Sequence, residues 1–450
     1  MPKDPLAVLG ELAARSWARR VLLTVFLAAA TIHAYAVAFV RPARWDDFDV
    51  HREVGRRFLS GDYLYANGLC YPYMPMGAMY FSPLALMERS IGLTVRYMVA
   101  IACLVLTLSL LHRMVRARVE SVRPYGLTLG AVAGLLALRY LINDLDDGGP
   151  HLILLAVLTG GIFAVWRGRE VLGAVCFGLA VALKVSPALF VPFFLWKRQW
   201  RLAGCTVVAA ACWIVLPVVW MGPGSWWKHQ VEWTEVAAGS FVGRQTAYST
   251  TNEQQVRNSA LSPALSRYLV TYPEEHPLRR NDPGYVPILN LEPQTAKGIV
   301  AVAVLGLLGM LAWSTGRPYR GPGDPAWVRE CAGVLILAML LSPVAWVQHL
   351  VWLIPALYVI LADMLAQGEV RWPAWVMLGG YVIITQVLNY EFLGKRMGEA
   401  VLSYRPFTIG MLLVFGLLMI RAGDAAGMWS PPGQLPASAP QSRSEEVARL

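Results

Sequence analysis

The sequence predicts an all-α polytopic membrane protein, a bundle of about twelve transmembrane helices with two extracytoplasmic segments that carry short interfacial helices. Three observations lead there. Hydrophobic residues make up 56% of the 450-residue chain and charged residues only 15%, against roughly 25% in soluble domains. The deficit of charge is spread along the chain, so a single anchor does not account for it. Apolar runs recur almost from end to end, and basic residues collect in alternate short loops between them.

The first run, residues 21–40, follows Arg19 and Arg20. Ala34-Tyr35-Ala36 has the small-residue pattern of a signal-peptidase site, but the run is longer than a signal h-region, so it reads as an uncleaved span. Further runs occupy 91–111, 125–142, 151–166, 170–183, 187–196 and 202–221, then 296–313, 327–341, 349–366, 373–389 and 402–420. Several fall short of the ~20 residues a straight span requires. Lys184 and Pro187 leave 170–196 as either two short spans or one broken helix. Many of the 17 tryptophans stand near the ends of runs, where a bilayer interface suits the half-polar indole. The six cysteines show no metal-ligand spacing and read as small buried residues.

Orientation follows from the basic loops. With the N-terminus in the cytoplasm, Arg15, Arg19 and Arg20 lie inside, as do Arg113, Arg116, Arg118 and Arg123. Arg167 and Arg169, then Lys197, Arg198 and Arg201, then Arg317, Arg320 and Arg329, and finally Arg371 fall on the same side. Asn143-Asp144-Leu145-Asp146-Asp147 falls outside. The expected organisation is a cytoplasmic segment 1–20, a transmembrane domain 21–421 with outer segments 41–90 and 222–295, and a Pro/Ser/Ala-rich disordered tail 422–450 in the cytoplasm. The net charge of +10 is read as cytoplasmic anchoring and contact with anionic membrane lipids. No basic stripe interleaved with exposed aromatics marks nucleic acid as a partner.

Candidate chemistry concentrates in the outer segments. Trp45-Asp46-Asp47-Phe48-Asp49-Val50-His51 places three carboxylates directly after the first span. A carboxylate at a membrane surface suits a general base, because low dielectric raises its pKa toward the working range; a solvated acidic loop is the plainer reading. Phe58 and Leu59 fit the apolar side of a short interfacial helix, with Arg52, Arg56 and Arg57 on another side, beside a lipid phosphate or as anchors. Tyr71-Pro72-Tyr73-Met74-Pro75 and residues 76–85 are too short and Pro-rich to span, and suit a cavity lining. Asn143, Asp144, Asp146, Asp147 and His151 have the side chains of a divalent-metal site, but a solvated acidic loop is preferred. No P-loop, zinc spacing or nucleotide-binding Gly motif occurs, which argues against a cytosolic nucleotide-sugar donor.

These segments resemble glycosyltransferase family 87, of the GT-C superfamily of membrane glycosyltransferases. The likeness lies in the order Asp-x-x-Val, short helix, Leu59-x-Gly61, Tyr71-Pro72-Tyr73-Met74-Pro75 and Ser82-Pro83-Leu84-Ala85. Leu183-Lys184-Val185-Ser186-Pro187, Asn252-Glu253-Gln254-Gln255 through Asn258-Ser259, and Ser342-Pro343-Val344-Ala345-Trp346-Val347-Gln348-His349 are similar to later family segments. The resemblance covers residues 41 to about 365. It implies a GT-C-type bundle and transfer of a hexose, with mannose the leading candidate, from a polyprenyl-phosphate sugar to a lipid or glycan acceptor at the extracytoplasmic face of a bacterial inner membrane. It implies no cofactor and no divalent metal, the lipid-linked sugar being a co-substrate. It assigns the base to Asp47, with Asp46 and Asp49 close enough to exchange roles, and a catalytic part to His349, as a donor to the phosphate or in holding the acceptor. Lys184, Arg56 and Arg57 become candidate phosphate partners, and Tyr71, Tyr73, Asn252 and Gln348 candidate substrate contacts. This chain departs from the family in two places: Val50-His51 stands for a Val-Tyr pair, and Gln348 for the first of two histidines. The alternative function is a transporter or flippase of lipid-linked sugars. That class favours repeats and polar groups near the bilayer midplane, whereas here no repeat is visible and ionisable residues crowd the ends of runs.

Overall fold

The computed structural model describes residues 16–40, 47–65, 71–242, 257–275, 279, 284–285, 287–366 and 372–427. Asp46, Asn252 and the tail from residue 428 lie outside them. Among the described residues every regular element is a helix, and each of the twelve apolar runs is largely helical. The last helix, Pro406–Gly427, carries on past residue 421, where the sequence suggested that order ends.

Five helices are long and apolar enough to cross a membrane: Arg20–Val40, Arg89–Arg118, Trp200–Met221, Pro293–Ser314 and Val347–Ala366. Two bent pairs, Val122–Leu136 with Leu138–Asp147 (71°) and Trp372–Val387 with Phe392–Ser403 (108°), bring the number to as many as seven. Shorter apolar helices include His151–Trp166, Glu170–Leu183, Ser186–Trp196 and Pro406–Ile420. A polar backbone crossing lipid must satisfy its own hydrogen bonds, which is why the apolar runs become helices.

Burial separates centre from periphery. In the apolar stretch of Val347–Ala366, 89% of the residues are buried, whereas in those of Arg20–Val40 and Pro293–Ser314 only 17% are, and these two helices offer Val, Leu and Ile side chains outward. Every residue of the Trp327–Leu340 helix is buried. This centre carries charge. Lys197 donates to Glu330 at 2.8 Å, Arg118 to Asp363 at 2.9 Å, and Arg329 also pairs with Asp363. Lys197 and Arg329, expected as loop anchors, are therefore buried ion-pair partners, because buried charge is tolerated only when paired.

Prolines set the breaks that matter. Pro187 lacks an N–H and its ring opposes the carbonyl of residue 183; the Glu170–Leu183 helix ends there and Lys184 is extended. Pro343 follows the end of Trp327–Leu340 in the same way. A turn from Gly148 to Pro150 joins Leu138–Asp147 to His151–Trp166. Gly148 has φ of 75°, a region costly for side chains, and a Cβ there would come within 2.5 Å of Phe48 Cβ. Phe48 adjoins Asp47, so this glycine lets the Asp47–Ser60 helix settle on the turn. That helix also packs on Pro75–Ala85, with Gly55 against the Phe81 carbonyl. Gly148→Ala is expected to cost about 1–3 kcal/mol through strain and overpacking. The check is a lowered melting temperature in detergent.

Candidate active site

Asp47 is the first residue of the Asp47–Ser60 helix, where the helix dipole favours a carboxylate. It is half-buried, and its Oδ2 accepts a hydrogen bond from Gln348 Nε2 at 3.2 Å across 301 residues of sequence. Burial holds the Asp47 pKa above the ordinary carboxylate value, while the Gln348 bond and then the charges of Lys184 and Arg96 draw it back down. Removing that bond with Gln348→Leu is expected to raise the Asp47 pKa further. If Asp47 must be ionised to work, the acid limb of the kcat/KM profile moves to higher pH, as a rate-versus-pH series would record.

Lys184, freed from its helix by Pro187, points its ammonium at His349, 3.1 Å from Nε2 and 3.2 Å from Nδ1. It also lies 5.9 Å from the Trp352 ring centroid. Lys184, Ser186, Met339, Ser342, His349 and Trp352 line one small pocket. The segment bearing Gln348 and His349 is held by the stretch that follows Asn252 in the motif. Asn258 Nδ2 donates to the Pro343 carbonyl at 3.0 Å, its Oδ1 accepts from the Ala345 N–H at 3.0 Å, and the Ser259 N–H donates to the Ala345 carbonyl at 2.7 Å. His349 Nδ1 accepts from the Trp346 N–H at 3.1 Å.

The acidic stretch 143–147 is a correction to the solvated loop expected from sequence. It ends a helix, and Asp144 is 0% exposed. Asp144 accepts from Arg96 Nη2 at 2.7 Å and from the His151 N–H at 3.2 Å. His151 packs its ring on His349, with centroids 4.2 Å apart. Among the described residues no cluster of three or more His, Cys, Asp or Glu is arranged to hold a metal.

Other candidates sit elsewhere. Asp49 accepts two bonds from Arg89 at 2.8 Å each. Arg56 and Arg57 both donate to Glu53; the Arg56 bond, ahead of the Arg57 bond and the two charges, holds Glu53 down at about 2. Arg56 is exposed, so these arginines form a surface ion-pair group. Tyr71 and Tyr73 are buried and flank His51, with ring centroids 6.3 and 5.4 Å from it. His51 stacks on Phe81 at 4.0 Å, and burial lowers its pKa to about 3, which keeps it neutral. The sequence reading missed Arg96, and saw His151 and Asn258 only as parts of other motifs. An arginine inside an apolar run was the available signal for Arg96, since intramembrane charge is expensive.

The site thus joins a carboxylate from the helix after the first apolar run to a lysine and a histidine from two helix breaks. Residues 71–343 match the model of glycosyltransferase family 87. The chain belongs to glycosyltransferase family 87. As a member it is a multi-pass membrane glycosyltransferase. It is 25% identical over 342 residues to a polyprenol-phosphate-mannose-dependent alpha-(1-2)-phosphatidylinositol mannoside mannosyltransferase of Mycolicibacterium smegmatis, covering 70% of this chain and 69% of that one. The protein of the same name from Mycobacterium tuberculosis is 25% identical over 338 residues, with the same shares covered. A polyprenol-phosphate-mannose-dependent alpha-(1-2)-phosphatidylinositol pentamannoside mannosyltransferase of M. smegmatis is 26% identical over 303 residues, covering 65% of this chain and 63% of that one. The family match begins at Tyr71, so it leaves Asp47 outside, while Lys184 lies within it and His349 just beyond its end.

Proposed function

We propose that this glycosyltransferase moves a mannosyl group from polyprenyl-phosphomannose to a hydroxyl of a lipid or glycan acceptor at the extracytoplasmic face of a bacterial inner membrane. The observation that carries the proposal is the meeting of Asp47 with Gln348 and, within reach of its charge, Lys184. A base for an acceptor hydroxyl and a cation for a departing phosphate are what the reaction needs, and here they come from opposite parts of the chain.

In this reading the acceptor oxygen attacks C1 of the sugar while its proton passes to Asp47. The bond from C1 to the phosphate oxygen breaks, and its electron pair leaves with the polyprenyl phosphate. Lys184 faces that developing charge, and His349 holds the Lys184 ammonium in place. Attack from the face opposite the phosphate inverts C1. Lys184 supplies the charge that a metal supplies elsewhere, so chelators are expected to leave the rate unchanged. His51 and Gln348, where the family carries other residues, border Asp47 and are the natural determinants of acceptor choice.

The proposal includes twelve spans with both chain ends in the cytoplasm, supported by a helix at each apolar run and by basic loops on one side. The test is transfer by purified protein in proteoliposomes loaded with polyprenyl-phosphomannose and mycobacterial phosphatidylinositol mannosides. Mass spectrometry should find an acceptor one hexose heavier. Translocation of the donor without covalent transfer would reverse the reading toward a flippase, and labelling of the Asp47 region from the cytosol would reverse the topology.

A further inference from the structure

His151 stands out among the buried polar groups. It is 1% exposed, and among the described residues neither Nδ1 nor Nε2 has a hydrogen-bond partner. Buried side-chain nitrogens are nearly always satisfied, and leaving them bare is costly. The ring is also placed by its backbone and not by bonds of its own. The His151 N–H is held by Asp144 Oδ1 at 3.2 Å, and its carbonyl accepts from Trp352 Nε1 at 3.2 Å. Asp144 is in turn fixed by Arg96. Three elements therefore converge to set an unpaired imidazole beside His349. It lies near enough to Lys184 and Arg96 to feel their charges. Arg96 keeps its own Nη1 without a partner in the same surroundings.

A structural histidine in an apolar core would bond to a carbonyl or hydroxyl. An imidazole kept bare, within reach of the half-buried Lys184 ammonium, suits an anion that arrives with its own acceptors. We propose that His151 is a phosphate-binding residue, whose ring N–H donates to the phosphate of the polyprenyl-linked donor and to the same phosphate as it departs. The inference rests on the transfer reaction proposed above. It involves no proton transfer from His151: the proton of the acceptor goes to Asp47, and the phosphate leaves with the electron pair of the broken bond.

The test uses the full-length protein in detergent with decaprenyl monophosphate as competing ligand. His151→Phe keeps the ring volume and removes the donor. It is expected to raise the donor KM and the inhibition constant of decaprenyl monophosphate by roughly 10- to 100-fold, with the acceptor KM unchanged. His151→Gln, which retains an N–H, should recover part of the loss. Unchanged donor KM and inhibition in His151→Phe overturn the proposal, as does a change confined to the KM of the phosphatidylinositol acceptor, which carries a phosphate of its own. Should the phenylalanine protein fail to fold, His151→Leu, which also lacks a donor, decides on the same readings. Asp47→Asn separates the two claims: normal turnover there removes the base, whereas in a dead Asp47→Asn protein that still binds decaprenyl monophosphate, adding His151→Phe should weaken that binding roughly 10- to 100-fold, and unchanged binding overturns the role of His151.

Discussion

Replacing Asp47 with asparagine is expected to lower sugar transfer by roughly 100- to 10,000-fold, the usual weight of a general base, while leaving the fold intact. Asparagine matches the shape of the carboxylate and keeps an oxygen for the 3.2 Å bond from Gln348. It also removes a charge that burial disfavours, so the melting temperature should hold or rise. The loss should appear in kcat, with donor KM little altered, because Asp47 acts on the acceptor proton. A comparison with Asp49→Asn sharpens the result. Asp49 is tied by two 2.8 Å bonds to Arg89, so its replacement should cost stability and change the rate less than tenfold, roughly the effect of a partly exposed ion pair. A fully active Asp47→Asn protein, or an inactive Asp49→Asn protein with normal stability, would move the base to another carboxylate.

Lys184→Met is expected to reduce kcat/KM for the donor by roughly 100- to 1,000-fold, the scale of losing one preorganised partner of a developing negative charge. Methionine preserves the length of the side chain and its packing near Trp352, so the loss should be electrostatic. Lys184→Arg should restore little. A compact ammonium fits 3.1 Å from His349 Nε2, and a planar guanidinium presents a different set of donors. A second effect follows from the geometry. The Lys184 charge draws the Asp47 pKa down, so its removal should move the acid limb of the surviving activity to higher pH. An unshifted limb would mean that the two groups do not work in one site.

Much of this was legible in the sequence for a simple reason. Lipid accepts only backbones that satisfy themselves, so each apolar run declared a helix without help from its neighbours. Pro187 and Pro343 marked the breaks, since a proline lacks the N–H and crowds the carbonyl four residues before it, which disfavours the helical turn it interrupts. Asp47, Lys184 and His349 stood out as ionisable groups at the edges of apolar runs, where charge is costly enough to need a reason.

The tertiary structure decided which of these groups meet. Asp47 and Gln348 are 301 residues apart, and no local spacing can announce a contact set by the paths of many helices. It separated Asp47 from Asp49 by giving the latter an arginine, and turned a supposedly solvated Asp144 into the buried anchor of Arg96. It left His151 buried and bare beside His349. Propensity and hydropathy are properties of a segment, and the chain alone determined them. Burial, pairing and the electrostatic environment of a side chain belong to whatever packs against it, and only the folded bundle supplies that.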